Sequence, residues 1–207
     1  CVNMWKGNDK VRELVLDGRI GKLAADLVGV DGVRLYHDHA LVKKAWANPT
    51  NWHLDNPSDP YLSHEATMLW IALDDVDEEN SCMNVVPRSH AGYRELEMIP
   101  VEEEKGAMLG RRVEVTAEMS SSAVPMILKT GEFSIHDSHL VHGSAPNHSS
   151  RRRGGYTIRY GNALTTKVDL ALHKYGDHEA LPVYYVRGEG TGLHDGYVDV
   201  RALSGEW

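Results

Sequence analysis

The sequence predicts a mainly β domain with helices on its N-terminal side, arranged as a sandwich or jelly roll. Three observations carry that prediction. After residue 32 the apolar residues come in short, often β-branched runs of strand length. Clusters of Gly, Pro, Asn, Asp and Ser separate the runs, as turns require. Apolar residues at helical spacing occupy the first 30 residues, and no internal repeat or low-complexity segment interrupts the pattern.

Asn8 or Asp9 can cap a helix carrying Val11, Leu14, Val15 and Leu16, with Gly18 as its stop. Ile20, Leu23, Ala24, Leu27 and Val28 then recur at helical spacing up to Gly29. Both read as packing helices. Residues 33–44 read as extended, 48–50 as a turn and 52–55 as a strand. Residues 56–64 are a loop, and 66–73 form an apolar run of strand length. An acidic turn follows over 74–81, then a strand over 82–87 ended by Pro87. The charged stretch 92–122 reads as a long, partly helical excursion of the kind that forms lids or binding loops. Strands resume at 124–128, 133–136, 140–144 and 156–160, and the Gly- and His-containing tail from 162 is expected to cover the barrel. The 207 residues are expected to form a single domain.

A formal charge of −8 argues against nucleic acid as a partner, and Arg151-Arg152-Arg153 is too short a run to reverse that. No apolar stretch is long enough to span a bilayer. Two cysteines, Cys1 and Cys82, make no disulfide framework and point to a reducing, cytoplasmic setting. No signal peptide is visible, although the chain begins on Cys1 and an address could lie outside it. Oligomeric state is not readable.

Chemistry enters at Asn51-Trp52-His53-Leu54-Asp55. On a strand, residues i and i+2 face the same way, so His53 and Asp55 would project together as two ligands of one ion. A His/Asp pair can equally share a plain surface hydrogen bond. A distant histidine would complete a two-histidine, one-carboxylate set with open coordination positions, the arrangement that favours non-haem Fe(II). Among 12 histidines, His136, His139 and His142 are the serious candidates, flanking a late strand–turn–strand unit. His37, His39 and His64 read as satisfied polar groups near strand ends. His90 reads as a turn residue, and His148, His173, His178 and His194 as surface residues. His142 has the most telling context. Gly143 permits close backbone approach, and Ser144 brings a hydroxyl to the same face. If residues 146–150 form a hairpin turn, Arg153 returns on the neighbouring strand, where its guanidinium can clamp a carboxylate. Arg151 and Arg152 read as solvated.

From about residue 10 to about residue 162 the chain resembles the phytanoyl-CoA dioxygenase family of Fe(II)/2-oxoglutarate-dependent oxygenases. The matching segments are Val33–His39, Trp52-His53-Leu54-Asp55, Leu69–Asp75, Asn84–His90, Gly131-Glu132-Phe133, and His142-Gly143-Ser144 through Asn147 to Arg153. Arg88 departs from the family's usual Pro-Gly-Ser-His turn. The several dozen residues that usually precede this region are also missing, so the domain is expected to lack its N-terminal part.

The resemblance implies a double-stranded β-helix, cupin-like, with Fe(II) held by His53, Asp55 and His142. It implies 2-oxoglutarate as cosubstrate, its far carboxylate on Arg153 and its pocket lined by Ser144 and Trp70. O2 is then the oxidant, ascorbate a supporting reductant, succinate and CO2 the products, and a small molecule the substrate. Relatives that halogenate carry Ala or Gly where Asp55 stands, so hydroxylation, or a related desaturation or cyclisation, is the expectation. The residues alone leave open a Zn2+-type β-barrel hydrolase or isomerase on the same ligands, which would have no use for Arg153. They also leave open a non-catalytic binding module on the same scaffold. Substrate choice is assigned to 56–64, 92–122 and 163–207, where no motif stands.

Overall fold

The computed structural model describes residues 1–55, 65–100, 111–162, 184–185 and 198–199. The loop 56–64 and most of the tail therefore lie outside the described residues, as do His64, His173, His178 and His194.

Two helices open the chain. In α1 (Asp9–Val15) the Asn8 side chain accepts from the backbone N–H groups of Lys10 and Val11. In α2 (Gly18–Val28) Asp17 accepts from Arg19 N–H, and Gly29 closes the helix at φ 75°, the left-handed conformation glycine adopts without strain. The expectation that Gly18 stops the first helix is corrected here. Gly18 starts the second helix, because Asp17 just before it supplies the capping oxygen.

The strands are β1 (Val33–Lys43), β2 (Thr50–His53), β3 (Ala66–Ala72), β4 (Met83–Val85), β5 (Met98–Pro100), β6 (Arg111–Val113), β7 (Val124–Met126), β8 (Phe133–Asp137), β9 (His142–Ser144), β10 (Arg153–Asn162), β11 (Tyr184–Tyr185) and β12 (Val198–Asp199). A short helix, α3 (Ala117–Ser121), precedes β7. The excursion 92–122 thus holds a strand pair, β5 with β6, as well as this helix. Thr50 belongs to β2 rather than to a turn, β4 and β9 are shorter than their apolar runs, and β10 is longer.

The larger sheet has the order β12-β11-β1-β10-β3-β8 and the smaller β2-β9-β4-β7. Together with the N-terminal helices, these two sheets make the jelly roll that the pattern predicts. β10 is central to the larger sheet, antiparallel to both β1 and β3. Alternation along it divides the molecule. Tyr156, Ile158 and Tyr160 point outward, and with Val33, Leu35 and Leu69 they pack under Val15, Ala24 and Ala25 of the helices. Fully burying side chains such as Leu69 and Ile158 contributes about 1.5–3 kcal/mol each. The Tyr160 hydroxyl donates to the Val15 carbonyl at 2.6 Å, satisfying an acceptor at the end of α1. The opposite face of β10, carrying Arg153, Gly155, Thr157 and Arg159, is left for the interior between the sheets. Leu54, Val86, Val113 and Val141 form a second core behind the smaller sheet.

Candidate metal centre

The smaller sheet brings the two spaced motifs together. β2 and β9 pair antiparallel with His53 directly opposite His142, and their ring centroids are 4.1 Å apart. Gly143 makes this approach possible, since a Cβ there would meet the Thr50 carbonyl oxygen at 3.0 Å and Trp52 at 3.2 Å. His53 Nδ1 lies 2.7 Å from the Asn51 carbonyl, and His142 Nδ1 lies 2.9 Å from the Leu140 carbonyl. A carbonyl can only accept, so each Nδ1 carries the proton and each Nε2 keeps its lone pair.

Asp55 lies just past the end of β2, not within the strand as the spacing suggests. Buried Leu54 anchors it to the core behind the sheet, and its backbone N–H donates to the Ser138 carbonyl at 3.1 Å. The ligand atoms of His53, Asp55 and His142 all lie within 4.8 Å of one another. Asp55 Oδ2 is 3.6 Å from His142 Nε2, and its Oδ1 accepts from Arg159 Nη2 at 2.8 Å.

The electrostatics suit a cation. Burial acts to raise the Asp55 carboxyl, but Arg159 and the surrounding imidazoles hold it well below the usual carboxylate range. Burial, with His53 beside it, pushes His142 down to about 3 and also lowers His53. The group at neutral pH is therefore two neutral imidazoles and one carboxylate, the protonation states that metal ligation requires. Two nitrogens and one oxygen, leaving further positions open, fit an octahedral divalent ion such as Fe(II).

Of the remaining predicted residues, Arg153, Ser144 and Trp70 line one cavity of about 560 Å3 with the triplet. Arg153 does not return on the strand next to β9. The chain crosses to the other sheet, and Arg153 begins β10, facing the triplet from the opposite wall. Its Nη1 donates to the Ser81 carbonyl at 2.9 Å, its guanidinium lies 5.3 Å over the Trp70 ring, and its buried Nε has no hydrogen-bond partner. Gly155 clears the space for that ring, because a Cβ there would fall 2.1 Å from Trp70 Cζ2. Arg151 and Arg152 pair at the surface with Asp77 and Asp74.

His136 is not brought in as a ligand of the same set. It lies on β8, with its Nε2 3.5 Å from Asp55 Oδ2. His139 turns to Asp137, at 3.0 Å. His37 and His39 sit well inside β1 rather than at its end, and burial pushes His37 down to about 3. Sequence reasoning missed Arg159 and Lys43. Counting by twos from Arg153 would have found Arg159, which shares the inner face of β10.

A family model described as phytanoyl-CoA dioxygenase (PhyH) matches residues 2–155. The chain is 28% identical over 176 residues to a probable alpha-ketoglutarate-dependent hypophosphite dioxygenase of Stutzerimonas stutzeri, covering 84% of this chain and 60% of that protein. It is 31% identical over 98 residues to phytanoyl-CoA dioxygenase domain-containing protein 1 of Mus musculus, covering 47% of this chain and 34% of that one. The chain thus spans less than two thirds of both curated relatives. Among solved structures it is similar to the epimerase SnoN in complex with Fe3+, alpha ketoglutarate and nogalamycin RO, with 26% identity, TM-score 0.65, and coverage of 85% of this chain and 69% of that one. The carbocyclase SnoK from nogalamycin biosynthesis is similar at 25% identity and TM-score 0.64, over 86% of this chain and 67% of that one.

Proposed function

The chain belongs to the phytanoyl-CoA dioxygenase family, and on that premise we propose that it is an Fe(II)- and 2-oxoglutarate-dependent dioxygenase that hydroxylates a small molecule. His53, Asp55 and His142 would hold the ion. Arg153 and Ser144 would take the far carboxylate of 2-oxoglutarate, with Trp70 as the pocket wall. When bound, ion and cosubstrate supply the oxidising power, O2 being consumed as 2-oxoglutarate loses CO2 and becomes succinate.

The chain's own residues orient and protect. Arg159 keeps the Asp55 carboxylate ionised and fixes its rotamer. The two backbone carbonyls fix the imidazole tautomers. Met68, Trp70 and Met83 give the cavity apolar walls that exclude water. The carboxylate of Asp55 fills the ligand position that a halide would need, which favours oxygen insertion.

One observation carries the reading. Arg153 is a buried guanidinium with no carboxylate partner among the described residues, facing the triplet across one cavity. A buried cation of this kind calls for an anionic ligand, and a hydrolase using the same three side chains has no need of one. The similar epimerase and carbocyclase make the fate of the oxidised substrate a matter for the substrate side of the cavity.

The test is 2-oxoglutarate consumption and succinate formation by iron-loaded protein with ascorbate, with and without a panel of small molecules. Succinate release, coupled or uncoupled, is expected. Its absence from folded, iron-loaded protein would overturn the reading.

A further inference from the structure

Lys43, the last residue of β1, pairs in register with Arg153 and is only 6% exposed. Its ammonium donates to Ser144 Oγ at 2.7 Å, Ser81 Oγ at 3.0 Å and the Ala145 carbonyl at 3.3 Å. It lines the same cavity as Arg153 and Ser144. Burial, with Arg153 close by, pushes it down to about 8. Among the described residues no carboxylate lies within ion-pairing distance of either cation.

The chemistry of the donors makes the arrangement directional. A lysine ammonium has no acceptor, so Ser144 Oγ must accept from it. The Ser144 hydrogen must then point elsewhere, and no described group accepts it. Arg153 Nε, of a residue lining the same cavity, also lacks a partner. A lysine serving only to tie β1 to β9 could be replaced by a neutral donor without the cost of burying an uncompensated charge. Two buried cations and one directed hydroxyl, with no anion among them, describe a receptor for a carboxylate.

We propose that Lys43 is a positioning residue of the cosubstrate site: it turns the Ser144 hydroxyl into the cavity and adds a second positive charge beside Arg153, so that the site selects 2-oxo acids bearing a distal carboxylate. This rests on the oxygenase reading above. It assigns to that reading a determinant of cosubstrate choice on the strand opposite the metal triplet.

The experiment is calorimetric titration of Mn(II)-loaded, oxygen-free protein with 2-oxoglutarate and with 2-oxopentanoate, which has the same 2-oxo acid end and no second carboxylate. Wild-type protein is expected to prefer 2-oxoglutarate. In Lys43→Met that preference falls by about tenfold, the order expected for loss of one charge-assisted contact, while 2-oxopentanoate binds as before. Adding Ser144→Ala to Lys43→Met costs little more, because the hydroxyl has already lost its orientation. Lys43→Gln, a second neutral variant of similar stem length, reads the same ratio if the methionine variant does not fold. An unchanged preference in the folded variant, or an equal loss for both acids, overturns the role given to Lys43 and leaves the oxygenase reading standing. Wild-type protein that binds neither acid overturns both.

Discussion

The two walls of the cavity differ in charge and in duty. The smaller sheet and the bend after β2 carry His53, Asp55 and His142, two neutral imidazoles and a carboxylate gathered within 4.8 Å. The larger sheet carries Lys43, Arg153 and Arg159 on its inner face. Of these cations only Arg159 reaches Asp55, at 2.8 Å. Were all of them placed beside Asp55 they would neutralise it, leaving neither a full anion for a metal nor a cation for a carboxylate. A sandwich solves this by mounting the opposed charges on separate frames. It can then hold the Asp55 carboxylate and the Arg153 guanidinium in one cavity without their pairing.

The largest break in that division comes from the smaller wall. His53→Ala or His142→Ala is expected to reduce bound metal and activity to background while leaving the fold intact, read by metal analysis beside circular dichroism. Activity retained in either variant would remove the triplet as the metal site. On the larger wall, Arg153→Leu should weaken 2-oxoglutarate binding by about 30-fold or more, whereas Arg151→Leu, at the surface, should leave it unchanged. Equal effects in a binding titration would show that the wrong arginine faces the cavity.

Arg159 joins the two walls. Arg159→Met should lower metal affinity by about 10- to 100-fold, the range for groups that orient a ligand, and at saturating metal leave 2-oxoglutarate affinity near wild type. A titration in which cosubstrate binding falls first would place Arg159 on the anion side instead. The effect of pH separates the walls more gently. The Lys43 ammonium is charged below about 8 and neutral above it. Affinity for 2-oxoglutarate should therefore decline as pH rises through and beyond that value, a bound anion holding the proton on somewhat longer. The Arg153 guanidinium across the ladder stays charged in this range, and Ser81 and Ser144 do not titrate. The decline should be absent in Lys43→Met. A control that touches neither wall is the smallest effect. Arg88 sits at φ 65°, left-handed backbone that costs an arginine about 1 kcal/mol. Arg88→Gly should raise stability by roughly that amount in chemical denaturation and leave both binding constants alone.

The smaller wall was the more legible in sequence, because its pieces are short and local. His-x-Asp and His-Gly-Ser announce themselves within three residues each, and their pairing needs only that β2 and β9 be neighbours. The strands were legible from alternation and from apolar runs bounded by turns, and the helices from capping residues and spacing. Gly18 was misread because Asp17 beside it is an N-cap, a signal that outranks glycine as a stop. The larger wall was less legible for a geometric reason. Alternation tells which residues share a face of a strand, but not which faces look at each other across a sandwich. Arg153 lies on the sheet opposite the one that a hairpin after β9 would give it. Lys43 stands beside Lys44 in an extended run that carries no sign of its burial, which only the opposing Ser144 and Ser81 reveal. Asp55 joins the triplet from a bend, so the strand argument that pairs it with His53 relies on a geometry the chain does not use.

The strand order of the larger sheet has a consequence for the way the molecule is made. β10 lies between β1 and β3, and Thr157 on it donates to the His39 carbonyl across 118 residues of sequence. As the polypeptide leaves the ribosome, one edge of β1 and one edge of β3 must wait unpaired until Arg153–Asn162 has been synthesised. Such long-range closure is slow and leaves strand edges open to aggregation. The same insertion delivers Arg153 and Arg159 together. The two arginines of the larger wall therefore arrive together, after the residues of the triplet and Lys43 have been made.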